Sequence, residues 1–393
     1  MRVGLVLDRF DRRLGGVEQW TAQLADHLLA RGHEIHVVAR EIAPEEQRPG
    51  LVAHPLPSQP TRMAQANEAA RCLRKLSLDV IHDMGMGWYY DLLQPHGGSR
   101  LVANHQNLSL GAGWSRPARR LAQHVLPRYR DFRSLCHKQY ADLETDRPAR
   151  LVVAISQMVR RDLLLRHGVS DDRLRLVYNG VNADRFTPGL RNTYRAPTRH
   201  DIGVDDDQPV FLIVAHNFLL KGVPALLRAM VRFRRSNYSG VLVIVGGKRL
   251  GRWQREIERM GIAEQVRFVG AVDDPTPFYA AADVYVQPTW YDPCSLVLLE
   301  ALACGLPVIT SPFNGAGELI DPGVHGTIVD EPSDDLALAR AMIEWSSPGR
   351  RSMTAKLCRE RMLAHTFERN VDGIVEIYEE VLASRKAKLR QVA

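Results

Sequence analysis

Residues 291–307 have the sequence YDPCSLVLLEALACGLP, and this stretch decides the fold assignment. Apart from Glu300, every residue from Leu296 to Cys304 is apolar, which predicts a helix that is buried on all sides. Ser295 is placed to cap the start of this helix, and Gly305 to end it. A buried carboxylate without partners is strongly destabilising, so Glu300 requires hydrogen-bond donors. The hydroxyl groups of a ligand would supply them.

A second acid, Asp292, lies eight positions before Glu300, in the loop that leads into the helix. The first amides of a helix have no acceptors within it, so those of Ser295, Leu296 and Val297 predict contact with an anionic or polyhydroxylated ligand. The alternative interpretation is a surface glutamate and a turn aspartate without function.

Length and composition indicate a two-domain protein. The chain has 393 residues, 45% of them hydrophobic, which suits two cores better than one. It contains no apolar run long enough to span a membrane, and its start, Met1–Asp8, predicts a strand and not a signal peptide. The five cysteines form no Cys-x-x-Cys pair, which indicates reduced thiols in a cytoplasmic protein, without disulfides or a zinc site.

Apolar strands alternate with helices, of which the first is predicted over Val17–Ala30. The strands predicted in the first half are Val3–Leu7, Glu34–Ala39, Asp79–His82, Leu101–Asn104, Leu151–Ile155 and Leu174–Tyr178. Those predicted in the second half are Val210–Ala215, Val241–Val245, Val266–Val269, Val284–Gln287, Val308–Thr310 and Thr327–Val329. This alternation predicts an α/β protein with two doubly wound, Rossmann-like domains that face each other across a cleft.

A polar, proline-bearing stretch over residues 187–208 separates the two series of strands. It places the first domain at residues 1–188 and the second at 189–369, and a C-terminal helix at about 370–393 is expected to pack back on the first domain. The acidic run Asp205–Asp207 lies in this stretch and is interpreted as a solvated turn, so no metal site is predicted.

The segment resembles the signature of family four of the retaining glycosyltransferases. That signature has two glutamates separated by seven residues, then a helix of small residues and a strand entry like Gly305-Leu306-Pro307-Val308. Here Asp292 replaces the first glutamate, and Cys294-Ser295 replaces the common Phe-Gly. The resemblance implies the GT-B fold, with the nucleotide ribose on Glu300 and the hydroxyls of the donor sugar on Asp292. It also implies that backbone amides at Cys294, Ser295 and Leu296 bind sugar and phosphate.

Further landmarks of the resemblance lie at the ends of strands. Gly15-Gly16 opens a helix after the first strand, near where the family binds donor phosphates, and it lacks the Gly-x-Gly-x-x-Gly pattern of dinucleotide-binding enzymes. Lys221 is expected to contact the diphosphate and act in catalysis. The arginine that many members have upstream is replaced by His216-Asn217, for which Lys248 or Arg249 could substitute. Val269 lies where the nucleotide base usually meets backbone amides.

A catalytic histidine near the reacting sugar is also implied. His96 is favoured because Gly97 and Gly98 would let a ligand approach closely. His82 and His105 are the alternatives.

The expected function is therefore transfer of a hexose, with UDP-glucose as the first candidate donor, to a glycan or lipid-linked saccharide such as lipopolysaccharide core. The enzyme is expected to need no metal or other cofactor. A nucleotide-sugar epimerase of the same fold, a non-catalytic sugar-binding protein and an inactive scaffold are the alternatives.

Residues 111–138 suggest a membrane-facing segment, because seven cations stand there against the single acid Asp131, interleaved with aromatic and aliphatic residues. The cations are Arg116, Arg119, Arg120, Arg128, Arg130, Arg133 and Lys138. The net charge of +7 agrees with an anionic membrane surface, and no nucleic-acid-binding motif accompanies it. We expect peripheral binding to the inner face of the cytoplasmic membrane; an arginine-rich solvated helix face is the alternative.

Overall fold

The computed structural model describes residues 1–110, 126–142, 147, 150–248 and 250–392. The chain divides into two compact units, one formed by Met1–Tyr178 with Asn370–Ala393 and the other by Asn179–Arg369. Residues 179–188, which the sequence assigns to the first domain, thus belong to the second unit. Each unit is a parallel sheet with helices, as expected for the α/β class.

The first unit contains a seven-stranded sheet in the order β3-β2-β1-β4-β5-β6-β7. Its strands are β1 (Arg2–Phe10), β2 (Glu34–Ile42), β3 (Leu51–Pro55), β4 (Val80–Asp83), β5 (Leu92–Leu93), β6 (Leu151–Ala154) and β7 (Leu174–Leu176). Its helices include α1 (Gly16–Ala30), α2 (Arg62–Leu73), α3 (Arg100–Ser109), α4 (Pro127–Tyr140) and α5 (Gln157–His167).

The second unit contains a six-stranded sheet in the order β10-β9-β8-β11-β12-β13. Its strands are β8 (Val210–Val214), β9 (Val241–Val245), β10 (Val266–Gly270), β11 (Val284–Gln287), β12 (Val308–Thr310) and β13 (Gly326–Ile328). Its helices are α6 (Leu190–Asp201), α7 (Val223–Arg235), α8 (Gly251–Arg259), α9 (Thr276–Ala281), α10 (Leu296–Ala303), α11 (Asp335–Trp345) and α12 (Pro348–Leu363). The last helix, α13 (Phe367–Val392), runs into the first unit.

Two predicted elements differ from the structure. Residues 101–104, predicted as a strand, belong to α3, because the hydroxyl of Ser99 accepts a hydrogen bond from the amide of Val102 and starts a helix there. The strand between β4 and β6 is instead the two-residue β5. Part of the polar stretch 187–208 forms α6, with Pro197 inside it.

The C-terminal helix is fixed to the first unit by two buried hydrogen bonds. The indole Nε1 of Trp20 donates to Asn370 Oδ1 at 3.2 Å, and His82 Nδ1 lies 2.7 Å from the hydroxyl of Tyr378. In the described ranges no helix combines the length and the apolar character that a membrane span needs.

Candidate functional site

The loop that carries Lys221 is packed against the end of strand β11. Gly222 has a φ of 78°, and a Cβ on it would lie 2.0 Å from the carbonyl oxygen of Pro288, so only glycine fits this approach. The carbonyl of Leu220 accepts hydrogen bonds from the amide of Trp290 at 2.8 Å and the hydroxyl of Thr289 at 3.1 Å. These contacts hold Lys221, after β8, beside Asp292, after β11.

Lys221 and Asp292 form an ion pair, with Nζ and Oδ2 2.5 Å apart. The two side chains are 20% and 12% exposed, so the pair is accessible from one side. The amide of Gln287 donates to the same carboxylate oxygen at 3.1 Å and accepts from the hydroxyl of Ser295 at 2.9 Å. Sequence reasoning missed Gln287, although a polar residue that ends an apolar strand was visible as a signal.

Ser295 does not cap helix α10 with its hydroxyl, because that hydroxyl donates to Gln287. Its amide also has an acceptor, the Oδ1 of Asn314 at 3.4 Å. Among the described residues the amides of Leu296 and Val297 donate to no protein group, so two of the three expected amides are open to a ligand.

Cys294 contributes through its backbone. Its carbonyl accepts a hydrogen bond from the side-chain amide of Asn179 at 2.9 Å. The thiol is buried, which raises its pKa well above the ordinary value and keeps it protonated. The side chain therefore serves packing.

Glu300 has a protein donor that the sequence did not reveal. The hydroxyl of Tyr279, in α9, donates to Glu300 Oε2 at 2.7 Å. Helix α10 is also not buried on all sides: Leu296, Val297 and Glu300 are half-buried and form a partly open stripe. Burial raises the pKa of Glu300, and the hydrogen bond from Tyr279 opposes that effect.

The histidines lie in the first unit. His96 is half-buried against Trp20, with ring centroids 4.4 Å apart, whereas His82 is fully buried and His105 is exposed on α3. Burial lowers the pKa of both His82 and His96 to about 3, so both imidazoles are neutral near pH 7.

Two family models together match most of the chain. The model described as Glycosyltransferase Family 4 matches residues 14–185, and the model described as Glycosyl transferases group 1 matches residues 195–357. The D-inositol 3-phosphate glycosyltransferase of Corynebacterium jeikeium strain K411 is 30% identical over 360 residues, which is 81% of each chain. The chain belongs to glycosyltransferase family 4.

Other relatives agree with this assignment. The D-inositol 3-phosphate glycosyltransferase of Acidothermus cellulolyticus is 27% identical over 96% of this chain and 88% of its own length. Among solved structures, WaaG, a glycosyltransferase involved in lipopolysaccharide biosynthesis, is similar with a TM-score of 0.77 and 20% identity over 96% of this chain and 99% of that chain. Anabaena Alr3699/HepE in complex with UDP-glucose has a TM-score of 0.70 and 17% identity over 98% of this chain and 100% of that chain. The two-domain GT-B fold is thereby confirmed.

In this family 4 glycosyltransferase, Gly15 stands at the N-cap of α1 and Gly16 is its first residue. The carboxylate of Glu18 lies 3.0 Å from where a Cβ on Gly15 would be, and it pairs with Arg9 at 3.7 Å. An acid already occupies the surroundings of this helix start. A phosphate at Gly15 and Gly16 would therefore have to share the helix start with the Glu18 carboxylate.

Val269 lies at an irregularity of the outer strand β10. The pairing of β10 with β9 shifts register between Phe268 and Gly270, which leaves the backbone of Val269 outside the regular ladder. Of the residues considered as substitutes for an upstream arginine, Lys248 is exposed, and Arg249 lies outside the described residues.

No group of three or more histidine, cysteine or acidic side chains in the described part of the glycosyltransferase is arranged to hold a metal ion. Residues 205–207 are exposed at a turn that follows α6.

Proposed function

We propose that this glycosyltransferase transfers a hexose from a nucleotide sugar, with UDP-glucose as the first candidate donor, to a glycan or lipid-linked saccharide such as lipopolysaccharide core. The observation that carries the proposal is the Lys221–Asp292 pair, supported by Gln287 and followed by the open amides of Leu296 and Val297. A cation, a carboxylate and helix-terminal amides on one sheet edge suit a diphosphate joined to a sugar. Anabaena HepE, of the same fold, was solved with UDP-glucose.

Each side chain has a defined part in the proposed reaction. Lys221 stabilises negative charge that grows on the leaving diphosphate, and Asp292 accepts hydroxyls of the donor sugar. Glu300 accepts ribose hydroxyls, with one of its oxygens oriented by Tyr279. His96 contacts the reacting sugar as a neutral imidazole.

The proposed reaction retains the anomeric configuration and uses no protein nucleophile and no metal. The bond between the anomeric carbon and the diphosphate oxygen breaks, and the acceptor hydroxyl oxygen forms the new bond on the same face of the sugar. The acceptor proton passes to the leaving diphosphate. Lys221 and the amides at the start of α10 act electrostatically throughout.

A panel of nucleotide sugars in a thermal-shift assay, followed by linkage analysis of the product, tests the donor and the reaction. We expect UDP-glucose to stabilise the protein and a glucosylated acceptor to form in the presence of EDTA. If only another nucleotide sugar stabilises the protein, that sugar replaces UDP-glucose as the proposed donor. If EDTA abolishes activity and manganese restores it, the metal-independent reaction is contradicted.

His96→Ala tests the role of the histidine. We expect turnover to fall far more than UDP affinity, because the imidazole acts on the sugar and not on the nucleotide. Equal losses in both measurements would assign His96 to nucleotide binding. His105→Ala, on the exposed part of α3, is the matched control and should change neither.

We also propose peripheral binding of the first unit to the inner face of the cytoplasmic membrane. In α4 the side chains of Arg128, Arg130 and Arg133 are exposed, whereas Phe132 and Leu135 are buried. Phe132 is thus not available for the expected apolar insertion, whereas Leu126 is 37% exposed, and the contact proposed here rests mainly on charge. Arg116, Arg119 and Arg120 lie outside the described residues.

Vesicle sedimentation tests this contact. Each cation near an anionic surface contributes about 1 kcal/mol, so Arg128→Ser with Arg130→Ser should weaken binding to phosphatidylserine vesicles by roughly 30-fold at low salt. Arg161→Ser with Arg166→Ser, on exposed positions of α5, is the control of equal charge. Equal loss in both double variants would leave only a general charge effect, and binding to neutral vesicles would contradict the proposal.

A further inference from the structure

The first unit contains a group of buried polar atoms that have no hydrogen-bond partner among the described residues. They are the Nε2 of His82, the Nε2 and Oε1 of Gln94, and the Nε2 of His96. Solvent does not reach these atoms. A buried polar group left unpaired costs about 1–3 kcal/mol, so four in one place call for partners.

The topology brings the three side chains together. In the pairing of β4 with β5, His82 is opposite Leu92, and Gln94 stands two residues beyond Leu92 on the same face of the sheet. The ring of Trp20 covers this face, with its centroid 6.3 Å from His82 and 4.4 Å from His96. The side chain of Gln94 interacts with His82, which opposes the lowering of the His82 pKa by burial.

The opposite nitrogen of His82 is already engaged. His82 Nδ1 lies 2.7 Å from the hydroxyl of Tyr378 in α13. Since a tyrosine hydroxyl near neutral pH carries its proton, it can donate to Nδ1, which leaves the proton of the neutral His82 ring on Nε2. That proton needs an acceptor, and the amide oxygen of Gln94 is within the same buried group.

We propose that Gln94 is a positioning residue whose amide joins the Nε2 atoms of His82 and His96, so that Tyr378, His82 and Gln94 fix the tautomer of His96. In the proposed chain of hydrogen bonds, which requires the Gln94 amide to turn from its position in the structure, His82 Nε2 donates to the amide oxygen of Gln94 and the amide nitrogen donates to His96 Nε2. The proton of His96 then resides on Nδ1, which is left as a donor for a ligand. The effect of this arrangement on catalysis depends on the proposed role of His96, but the tautomers themselves do not depend on it.

Among the described residues, three groups face the pair. His96 acts on His82, Tyr378 bonds to it, and Trp20 faces both rings without a charge. A carboxylate placed at position 94 would therefore be a new charge beside two neutral imidazoles, and it would favour their protonated forms.

Gln94→Glu gives the sharpest test in the full chain. We expect turnover to fall as the pH decreases from about 8 to about 6, because histidines then become charged in that range, whereas the unaltered protein has no histidine transition there from His82 or His96. Gln65→Glu is the matched control, since Gln65 is buried in the same unit and its side chain hydrogen-bonds to backbone atoms of Gln59 and Pro57.

Gln94→Met removes the amide at similar volume. It should lower turnover about tenfold, as expected for loss of the hydrogen bond that orients His96, with the KM for donor nearly unchanged. If either Gln94 variant fails to fold, Tyr378→Phe replaces it, because this change removes the donor to His82 Nδ1 and keeps the ring.

Nitrogen-15 NMR of the histidine rings reads the tautomers without any substrate. We expect His82 to carry its proton on Nε2 and His96 on Nδ1, and Gln94→Met to produce a mixture at His96. The same tautomers in the Gln94→Met protein, with an unchanged pH profile in Gln94→Glu, would overturn the proposal. If His96→Ala leaves turnover intact while the tautomers are as expected, the proposed function of His96 fails and the hydrogen-bonded chain stands.

Discussion

Each end of strand β11 carries a charged cluster of the second unit, and the two clusters are built in opposite ways. At the amino end, Asp283 is surrounded by arginines and is almost fully buried. At the carboxyl end, Asp292 has one cation, Lys221, and a partly exposed surface. Asp283 thus belongs to a closed structural network, whereas Asp292, nine positions later, belongs to an open site.

The network at the amino end has protein partners for nearly all of its polar groups among the described residues. Asp283 accepts hydrogen bonds from Arg195 at 2.9 Å, Arg199 at 3.3 Å and the amide of Val210 at 2.9 Å. Most of the other donors of Arg195 and Arg199 are directed to backbone carbonyls, including that of Ala281, at the end of α9; the buried Nε of Arg199 is an exception without a partner among the described residues. Cations at the carbonyl end of a helix are favourable, so the surplus positive charge is used within the fold.

The carboxyl end has the opposite balance. The carboxylate of Asp292 and the ammonium of Lys221 have further acceptor and donor positions that face open space. Among the described residues, the amides of Leu296 and Val297 have no acceptor. A structural network saturates its polar groups, whereas a binding site retains unused ones. The two clusters therefore differ more in the share of their polar groups that have hydrogen-bond partners than in the amount of charge.

The largest expected effect breaks the closed network. Asp283→Ala leaves the guanidinium of Arg199, which is 1% exposed, without its counter-charge, and should lower the free energy of unfolding by about 3–5 kcal/mol. Urea denaturation measures the change. Asp335→Ala, which removes the half-buried partner of the exposed Arg232, is the control and should cost less than about 1 kcal/mol. Equal losses in both variants would show that the buried network contributes no more to the free energy of unfolding than the Asp335–Arg232 pair does.

The second prediction breaks the open cluster instead. Lys221→Met removes the cation proposed to stabilise the leaving diphosphate, and should lower turnover by about 100- to 1,000-fold, as loss of one electrostatic donor does elsewhere. The Asp292 carboxylate keeps the Gln287 donor and an accessible side, so urea denaturation should show a smaller loss of stability than for Asp283→Ala. A large loss of stability with unchanged turnover would place Lys221 in the structural class with Asp283.

The sequence predicted the open cluster better than the closed one. Asp292, Glu300 and Lys221 stand out because each is a charged residue next to apolar strands or in an apolar helix. The arginines at 191, 195 and 199 were interpreted as part of a polar linker, although their spacing of four places them on one face of a helix. The regular four-residue spacing of these arginines is the sequence signal that indicates a helix here.

Other features depend on contacts that a sequence does not show. Tyr279 reaches Glu300 from a different helix, 21 positions away, and no local pattern relates them. Strand β5 has two residues, too few for a periodicity, so the sequence pattern predicts the strand at the neighbouring helix α3 instead. By contrast, β9, β11 and β12 have the predicted bounds, because continuous apolar runs between turn residues define buried parallel strands.

The third prediction sharpens the comparison at the nucleotide end of the open cluster. Glu300→Gln keeps the shape but removes the charged acceptor, and should weaken UDP binding by about 1.5–3 kcal/mol in isothermal titration calorimetry. Glu318→Gln, an exposed acid in the following loop, is the control for loss of one negative charge. Undiminished UDP binding in Glu300→Gln would show that the ribose is held elsewhere.

The smallest expected effect concerns Tyr279, the donor to Glu300 among the described residues. Tyr279→Phe removes the 2.7 Å hydrogen bond, and near pH 8 should weaken UDP binding by about 1 kcal/mol or less. Its pH dependence is more informative. Burial raises the pKa of Glu300 and the Tyr279 hydrogen bond lowers it, so the variant should have a still higher pKa.

Ribose hydroxyls bind the ionised carboxylate better, and therefore UDP affinity should decline as the pH falls through the Glu300 pKa. In Tyr279→Phe this decline should begin at a higher pH than in the unaltered protein. Tyr194→Phe, on a more exposed tyrosine of the same unit, should leave the curve in place. If the Tyr279→Phe curve coincides with that of the unaltered protein, UDP binding does not depend on the ionisation of Glu300. The open cluster would then include Asp292 but not Glu300.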